Sequence, residues 1–309
     1  MDHRKQTPLL FTLGSNPDLS KKVSALLALP LAPVKVSHFA DGEVFAKPLL
    51  SVKDRDCFIL HSTFRPVSER LMELLVFTDA LKNGGARHIT AIMPYFGYSR
   101  QDRILEEGDP VTGLLVSKML QGAGIDDFVT VDFHSLRLLD QFPMPHANLS
   151  AAPLFAERFG QELRKRNIPF SDVAIVSPDK GGLKRTQEFS SYFPGSSLAY
   201  ADKKRPYPNK ALVEAIEGDV KGKLCLVLDD IIDTAGTLSE VVKTLASNGA
   251  KETWVAATHG VFSGQAPVLI QEARIKTLLV TDTIESSSSE GEILSVAPLI
   301  AGYIQGTLQ

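Results

Sequence analysis

The sequence predicts an α/β protein made of two similar units, each a mostly parallel sheet flanked by helices. Short apolar runs alternate with segments of helical period, one helix–turn–strand pattern occurs twice, and 309 residues suffice for two domains of ordinary size. A hydrophobic content of 44% and a charged content of 22% place the chain among globular proteins rather than disordered or membrane ones.

In chain order, the strand candidates are LLFTL (9–13), CFILHS (57–62), HITAIMP (88–94), FVTVDFH (128–134), VAIVS (173–177), SLAYAD (197–202), LCLVLDD (224–230), TWVAAT (253–258) and TLLVTD (277–282). They read as parallel strands because a strand covered on both faces need not alternate apolar with polar residues. Helical period is clearest over Val67 to Asn83 and Leu238 to Asn248, and a last short helix is expected in APLIAGYIQGTL. The repeat lies in DALKNGGARHITAIMPY (79–95) and KTLASNGAKETWVAATHG (243–260): a helix end, an Asn-Gly C-cap where glycine takes the left-handed conformation, and an apolar strand. The junction is expected near HANLSAAP, giving a first domain of 1–150, onto which the tail from about 297 to 309 packs back, and a second of 151–296. ESSSSEG (285–291) reads as an exposed loop.

A net charge of −3 gives no electrostatic reason for a nucleic-acid or anionic-membrane partner, so any phosphate ligand must be held locally. The two cysteines, Cys57 and Cys225, sit in apolar strand runs and make neither a disulfide framework nor a zinc spacing. The start MDHRKQTPLLFTLG lacks a signal-peptide apolar region and no run reaches membrane-span length, so the cytoplasm is the expected compartment.

The most informative stretch is VLDDIIDTAGT (227–237): an apolar strand ends in Asp229 and Asp230, a third acid follows at Asp233, and then come Thr234, Ala235, Gly236 and Thr237. With Thr237 capping the helix that begins SEVVKTLA, a phosphate placed at Asp233 to Thr237 would be held by the unpaired amides of a helix N-terminus and two threonine hydroxyls. Asp229 and Asp230 would repel that phosphate if they faced it. Their better use is to accept from sugar hydroxyls, or to meet the phosphate charge through Mg²⁺. An acidic strand end before a capped helix is the plainer alternative, but it makes the acids and the TAGT turn a coincidence.

VLDDIIDTAGT resembles the phosphoribosyl-pyrophosphate (PRPP) loop shared by phosphoribosyltransferases and ribose-phosphate pyrophosphokinases, or PRPP synthetases. FADGEV (39–44), MPYFGYSRQDR (93–103), TVDFH (130–134), DKKRP (202–206) and THGVFSG (258–264) each resemble a synthetase motif, in the synthetase order and over nearly the whole chain. The resemblance implies two phosphoribosyltransferase-like domains that transfer the β,γ-diphosphoryl group of ATP to the C1 hydroxyl of ribose 5-phosphate, releasing AMP, with Mg²⁺. It implies ATP contacts from Phe39, Asp41 and Glu43 of a neighbouring subunit and from Arg100, Gln101 and Asp102. His134 and Asp179 are implied as Mg²⁺ ligands, Lys203 and Arg205 as the catalytic pair on a mobile flap. Asp229, Asp230, Asp233, Thr234, Ala235, Gly236 and Thr237 are implied to bind ribose 5-phosphate, and a homo-oligomer of dimers, up to a hexamer, is the expected assembly.

The chemistry each role needs is present. Phe39 offers a stacking face, Asp41 and Glu43 can accept from the purine amine, and Arg100 can make bidentate phosphate contacts. No G-x-x-x-x-G-K-[ST] run occurs, so a P-loop of that kind does not hold the ATP. Taken singly, DGE is an ordinary turn, RQDR an ordinary charged loop and K-K-R a common basic turn. Asp179 suits magnesium better than His134 does, because magnesium prefers oxygen. The strand FVTVDFH is expected to run to His134, which places it outside a strand's carboxyl end, where ligands of open α/β sheets collect.

Two departures from the pattern bear on regulation. After RQDR, the common bacterial motif continues with basic residues that help bind phosphate and ADP, whereas ILEEGDPVTGLL (104–115) carries Glu106, Glu107 and Asp109; EEGD resembles the plant-type subgroup, which does not require phosphate, although TVDFH and DTAGT resemble the common type. The tail stops at GYIQGTLQ, short of the extension that helps form the regulatory site. Weak or absent phosphate activation and ADP inhibition are therefore expected. Ala235 stands where many relatives have Gly, which is acceptable if that position needs no positive φ. The rival expectations are a phosphoribosyltransferase, which would not need the DGE, RQD and DKKRP stretches, and a catalytically silent synthetase homologue, which would not need Lys203, Arg205, His134 and Asp179.

Overall fold

A computed structural model describes residues 7–207, 210–285 and 291–308, with the side chains of 203–207 and 210–214 outside the description. The serine run 286–290 therefore lies outside the described residues. The chain divides into two compact units, Met1–Ser150 with Thr283–Glu285 and Ser295–Gln309, and Ala151–Asp282 with Ser286–Leu294.

The first unit runs β1 (Leu9–Thr12), α1 (Pro17–Leu27), β2 (Val34–His38), β3 (Val44–Pro48), β4 (Asp56–Leu60), α2 (Val67–Asn83), β5 (His88–Met93), α3 (Thr112–Ala123), β6 (Asp127–Val131), α4 (Leu136–Leu139) and β7 (His146–Leu149). The second runs α5 (Ala152–Lys165), β8 (Val173–Ser177), α6 (Leu183–Ser190), β9 (Ser197–Tyr207), β10 (Lys210–Glu217), β11 (Leu224–Ile232), α7 (Gly236–Ser247), β12 (Glu252–Gly260), α8 (Ala266–Glu272), β13 (Thr277–Thr281) and β14 (Glu292–Leu294). The last helix, α9 (Ala297–Leu308), returns to the first unit and packs on α1.

In the first unit a five-stranded parallel sheet has the order β1-β4-β5-β6-β7, and β2 and β3 form a separate antiparallel hairpin. Leu9, Phe11, Cys57, Ile59, Ile89, Ala91 and Met93 meet Leu74, Phe77 and Leu81 of α2 and Val116 and Leu120 of α3 in one core. Leu10, Phe58, Leu60 and Ile92, of opposite strand parity, are buried too, so the sheet is covered on both faces. The second unit holds a seven-stranded sheet of order β10-β9-β8-β11-β12-β13-β14, parallel except for the β9–β10 pair. Val176, Val227, Val255 and Val280 pack on α7 and α8. Trp254 of β12 stacks at 5.6 Å on Phe159 of α5. Burial pushes the Cys57 and Cys225 thiols up to about 12, so both behave as core hydrophobes.

The repeat is visible as α2 leading to β5 and α7 leading to β12; the second copy has the expected Asn248-Gly249 cap, whereas the first departs from it. Gly84 is right-handed (φ −75°), and the left-handed residue is Gly85 (φ 80°), whereas in the second copy it is Gly249 (φ 83°). β6 also stops at Val131: Asp132 takes φ 41°, so His134 lies beyond the strand and not at its end.

His61, just past β4, is 1% exposed, contacts the Arg70 carbonyl oxygen at 2.9 Å through Nε2, and lies 3.6 Å from Glu73. Burial lowers its pKa from 6.5 to about 3. The imidazole stays neutral in the fold while the unfolded chain takes up a proton below about 6.5, so stability falls as pH drops through that window toward 3. Urea midpoints measured against pH are expected to decline over this range, with a shallower slope in His61→Gln.

Candidate active site

The β2–β3 hairpin carries FADGEV at its tip. Phe39 N–H donates to the Glu43 carbonyl (2.9 Å), Gly42 N–H to the Phe39 carbonyl (2.9 Å), and Asp41 Oδ1 accepts from Glu43 N–H (3.2 Å). This tight turn leaves the Phe39 ring 56% exposed, braced edge-on by Phe45 at 6.0 Å. A large aromatic held in solvent by its own turn is available for stacking.

The RQDR stretch forms the loop between β5 and α3. Tyr98 sits at φ 71° and its hydroxyl meets Ser68 Oγ at 2.8 Å, while Thr112 Oγ1 donates to Gln101 Oε1 at 2.5 Å. Arg100 is exposed. Asp102 is only 7% exposed and accepts from Arg103 Nε and Nη2, each at 2.9 Å, and from Ser135 Oγ at 2.7 Å. The Arg103 guanidinium, then Ser135, hold its carboxyl below the usual carboxylate range. Both Asp102 oxygens are thus engaged within the protein, and they tie the Arg100–Gln101 loop to the segment following His134.

That segment is anchored on either side of the histidine. Phe133 is buried among Phe96, Phe128 and Phe142, Ser135 caps α4 by accepting from Leu138 N–H, and His134 between them is exposed. The loop following RQDR is organised by its own acid: Asp109 Oδ2 accepts from Leu105 N–H (3.1 Å) and Glu106 N–H (2.9 Å). Glu106 and Glu107 are exposed. Of the three acids, then, Asp109 builds the turn and the two glutamates present negative charge to solvent.

In the second unit, parallel pairing of β8 and β11 brings Val176 beside Val227, which sets Asp179 and the Asp229–Asp230 pair at the same carboxyl edge. Asp179 caps the turn Lys180–Gly182, accepting from Gly182 N–H at 3.0 Å, and Ser177 Oγ donates to the Asp179 carbonyl at 2.6 Å. Asp230 is 8% exposed and Asp229 27%. Burial, the neighbouring Asp230 and the charge of Asp179 raise the Asp229 carboxyl well above the ordinary range, against an opposing pull from Arg185. Arg185 of α6, which the sequence did not single out, places Nη1 at 2.9 Å from Asp230 Oδ1. Its only trace in the sequence is position, three residues after the SPDKGG turn closes. An edge that crowds oxygen acids suits a hard divalent cation or hydroxyl donors.

The turn after β11 differs from expectation in two ways. α7 begins at Gly236, so Thr237 lies in its first turn and does not cap it; the N-cap is Ala235, with no side-chain cap hydrogen bond. Ala235 also adopts φ 61°, ψ 3°, so the position does need positive φ. Alanine accepts this strain at a cost of roughly 1–2 kcal/mol. Ala235→Gly is therefore expected to keep activity and raise the thermal midpoint, while a valine there lowers it; calorimetry of the two variants checks the sign. The left-handed cap still exposes the first amides of α7, with Thr234 exposed and Thr237 half-buried beside them.

The side chains of Lys203 and Arg205 lie outside the described residues; their backbone belongs to β9. At the base of β9, Asp202 pairs with Lys180 at 2.9 Å. Among the described residues no helix is long and apolar enough to cross a membrane.

Comparison with known proteins gives a consistent result. Residues 9–124 match the family described as the N-terminal domain of ribose phosphate pyrophosphokinase, and residues 199–296 match the phosphoribosyl synthetase-associated domain. The chain is 40% identical to the ribose-phosphate pyrophosphokinase of Bacillus caldolyticus over 96% of its length and 93% of the relative's. It is 38% identical to that of Bacillus subtilis, covering 96% and 92%. The crystal structure of phosphoribosylpyrophosphate synthetase from Mycobacterium smegmatis is similar with a TM-score of 0.90 at 34% identity, covering 98% of this chain and 99% of that one.

Proposed function

The chain belongs to the ribose-phosphate pyrophosphokinase family, enzymes that make PRPP from ribose 5-phosphate, and on that premise we propose how its residues divide the reaction. The C1 hydroxyl of ribose 5-phosphate attacks the β-phosphorus of ATP, the bond from that phosphorus to the α,β-bridging oxygen breaks, AMP leaves with that oxygen, and the hydroxyl proton is released. Such transfers depend mainly on positioning and on neutralising charge.

The observation that carries the assignment is the carboxyl edge of β11. Asp229 and Asp230 supply acceptors for two ribose hydroxyls, and the first turn of α7, which has no side-chain cap, follows within a few residues to take the 5-phosphate on its amides, with Asp233, Thr234, Ala235, Gly236 and Thr237 forming the turn. Phe39, Asp41 and Glu43 take the adenine from the hairpin tip, completing the site of a neighbouring copy in a dimer-based homo-oligomer. Arg100 and Gln101 meet the ATP phosphates, and Asp102 serves them by fixing their loop. Lys203 and Arg205 neutralise the oxygens that gain charge as AMP departs.

The family is generally Mg²⁺-dependent. In the second unit Asp179 would hold the ion through its oxygen donors, and in the first unit His134 is the chemically weaker candidate ligand. When bound, the cation neutralises phosphate charge. Regulation is expected to depart from the common bacterial type, because the exposed Glu106 and Glu107 oppose anion binding at the loop where phosphate or ADP would bind.

Quenched reactions of Mg-ATP and ribose 5-phosphate in phosphate-free buffer, separated by chromatography, test both parts. AMP is expected in step with PRPP, at a rate unchanged by added phosphate. A rate that requires phosphate removes the regulatory assignment, and no nucleotide turnover under either condition removes the catalytic one.

A further inference from the structure

Arg185 sits where neither the loop motif nor the flap motif reaches. It is the third residue of α6, the helix that starts after the Asp179-capped turn, and it points its guanidinium at the end of β11. One nitrogen, Nη1, lies 2.9 Å from Asp230 Oδ1 and 3.9 Å from Asp229 Oδ1. Asp229 Oδ1 in turn accepts from Asp230 N–H at 2.9 Å. The two carboxylates are therefore held in one arrangement, each by a defined donor.

The electrostatics of the edge give this contact a purpose. Asp179, Asp229, Asp230 and Asp233 bring four acids close to a turn that must accept a dianionic phosphate. Adjacent carboxylates repel one another and the ligand, and a guanidinium between them offsets both repulsions. Its geometry also fixes the orientation of the pair: Asp230 Oδ1 is held by Arg185 and Asp229 Oδ1 by the Asp230 amide, so the two carboxyl groups meet a sugar hydroxyl in one defined arrangement.

We propose that Arg185 is a positioning residue of the sugar-phosphate site, acting through Asp230 to orient the acid pair toward the ribose hydroxyls and to offset its charge against the incoming 5-phosphate. This rests on the assignment of the β11 edge to ribose 5-phosphate. The competing explanation is an ordinary ion pair that ties α6 to β11, and the two differ in what they move. A tie alters stability, whereas a positioning group alters the Michaelis constant for one substrate.

The test compares wild type, Arg185→Gln and Arg185→Lys for steady-state AMP formation, with ATP affinity measured directly by titration calorimetry. In Arg185→Gln the KM for ribose 5-phosphate is expected to rise about tenfold or more, the loss of a hydrogen bond to a charged group, while ATP affinity is unchanged. Arg185→Lys restores the charge without the planar fork and recovers part of the loss. Asp230→Asn and the double variant complete a cycle, in which the two effects are expected to be strongly non-additive. A wild-type KM in folded Arg185→Gln, an equal loss of ATP affinity, or additive effects in the cycle overturns the proposal. Should the Gln variant not fold, the Lys variant decides by the same comparison. A wild-type enzyme that forms no AMP points instead to the assigned activity, so the two failures are distinct.

Discussion

Alanine at Lys203 or Arg205 is expected to lower kcat by about a hundredfold or more while leaving substrate affinities nearly intact, as removal of an oxyanion-stabilising group does. The charge on the oxygen shared between the α- and β-phosphates grows only as AMP leaves, so a cation that meets it there contributes little to ground-state binding. Single-turnover formation of AMP by each variant, set beside calorimetric affinities for ATP and ribose 5-phosphate, separates the two quantities. A variant that loses affinity in proportion to rate would show that the pair binds substrate rather than the transition state. The intervening Lys204 is expected to tolerate alanine with a far smaller change.

Asparagine at Asp230 is expected to raise the KM for ribose 5-phosphate by about ten- to a hundredfold, the range for losing a charged acceptor to sugar hydroxyls. Asp229→Asn is expected to cost less. Burial and the adjacent Asp230 already push the Asp229 carboxyl toward its protonated form, which a neutral amide resembles, whereas Asp230→Asn leaves Arg185 facing an uncharged partner. Initial rates over a matrix of both substrates give the two constants. An effect confined to ATP, or a larger effect at position 229, contradicts this ordering.

These expectations draw unequally on sequence and structure. The core strands of both sheets were legible because a parallel strand buried on both faces is written as an unbroken apolar run: VAIVS coincides with β8, and α2 spans the same residues its period indicated. The less regular strands were not. β2 reads VKVSH, half exposed on a hairpin; β7 and β14 are three- or four-residue strands at sheet edges. Such segments bury too little to leave a periodic trace, and neighbouring strands define them by hydrogen bonding.

The site divides in the same way. Residue types and order in VLDDIIDTAGT, FADGEV and RQDR named the groups to which the proposed chemistry is assigned, since acids, amides and cations must be encoded wherever they are used. The sequence alone therefore determined the α/β class, the repeat and the motif set that marks the family. The tertiary structure decided the left-handed Ala235 at the head of α7, the end of β6 ahead of His134, the engagement of both Asp102 oxygens by Arg103 and Ser135, and the meeting of Arg185 with Asp230, 45 residues along the chain. Backbone handedness at a single turn and contacts between distant segments depend on the packing of the surrounding elements, and no local pattern of residues records that packing.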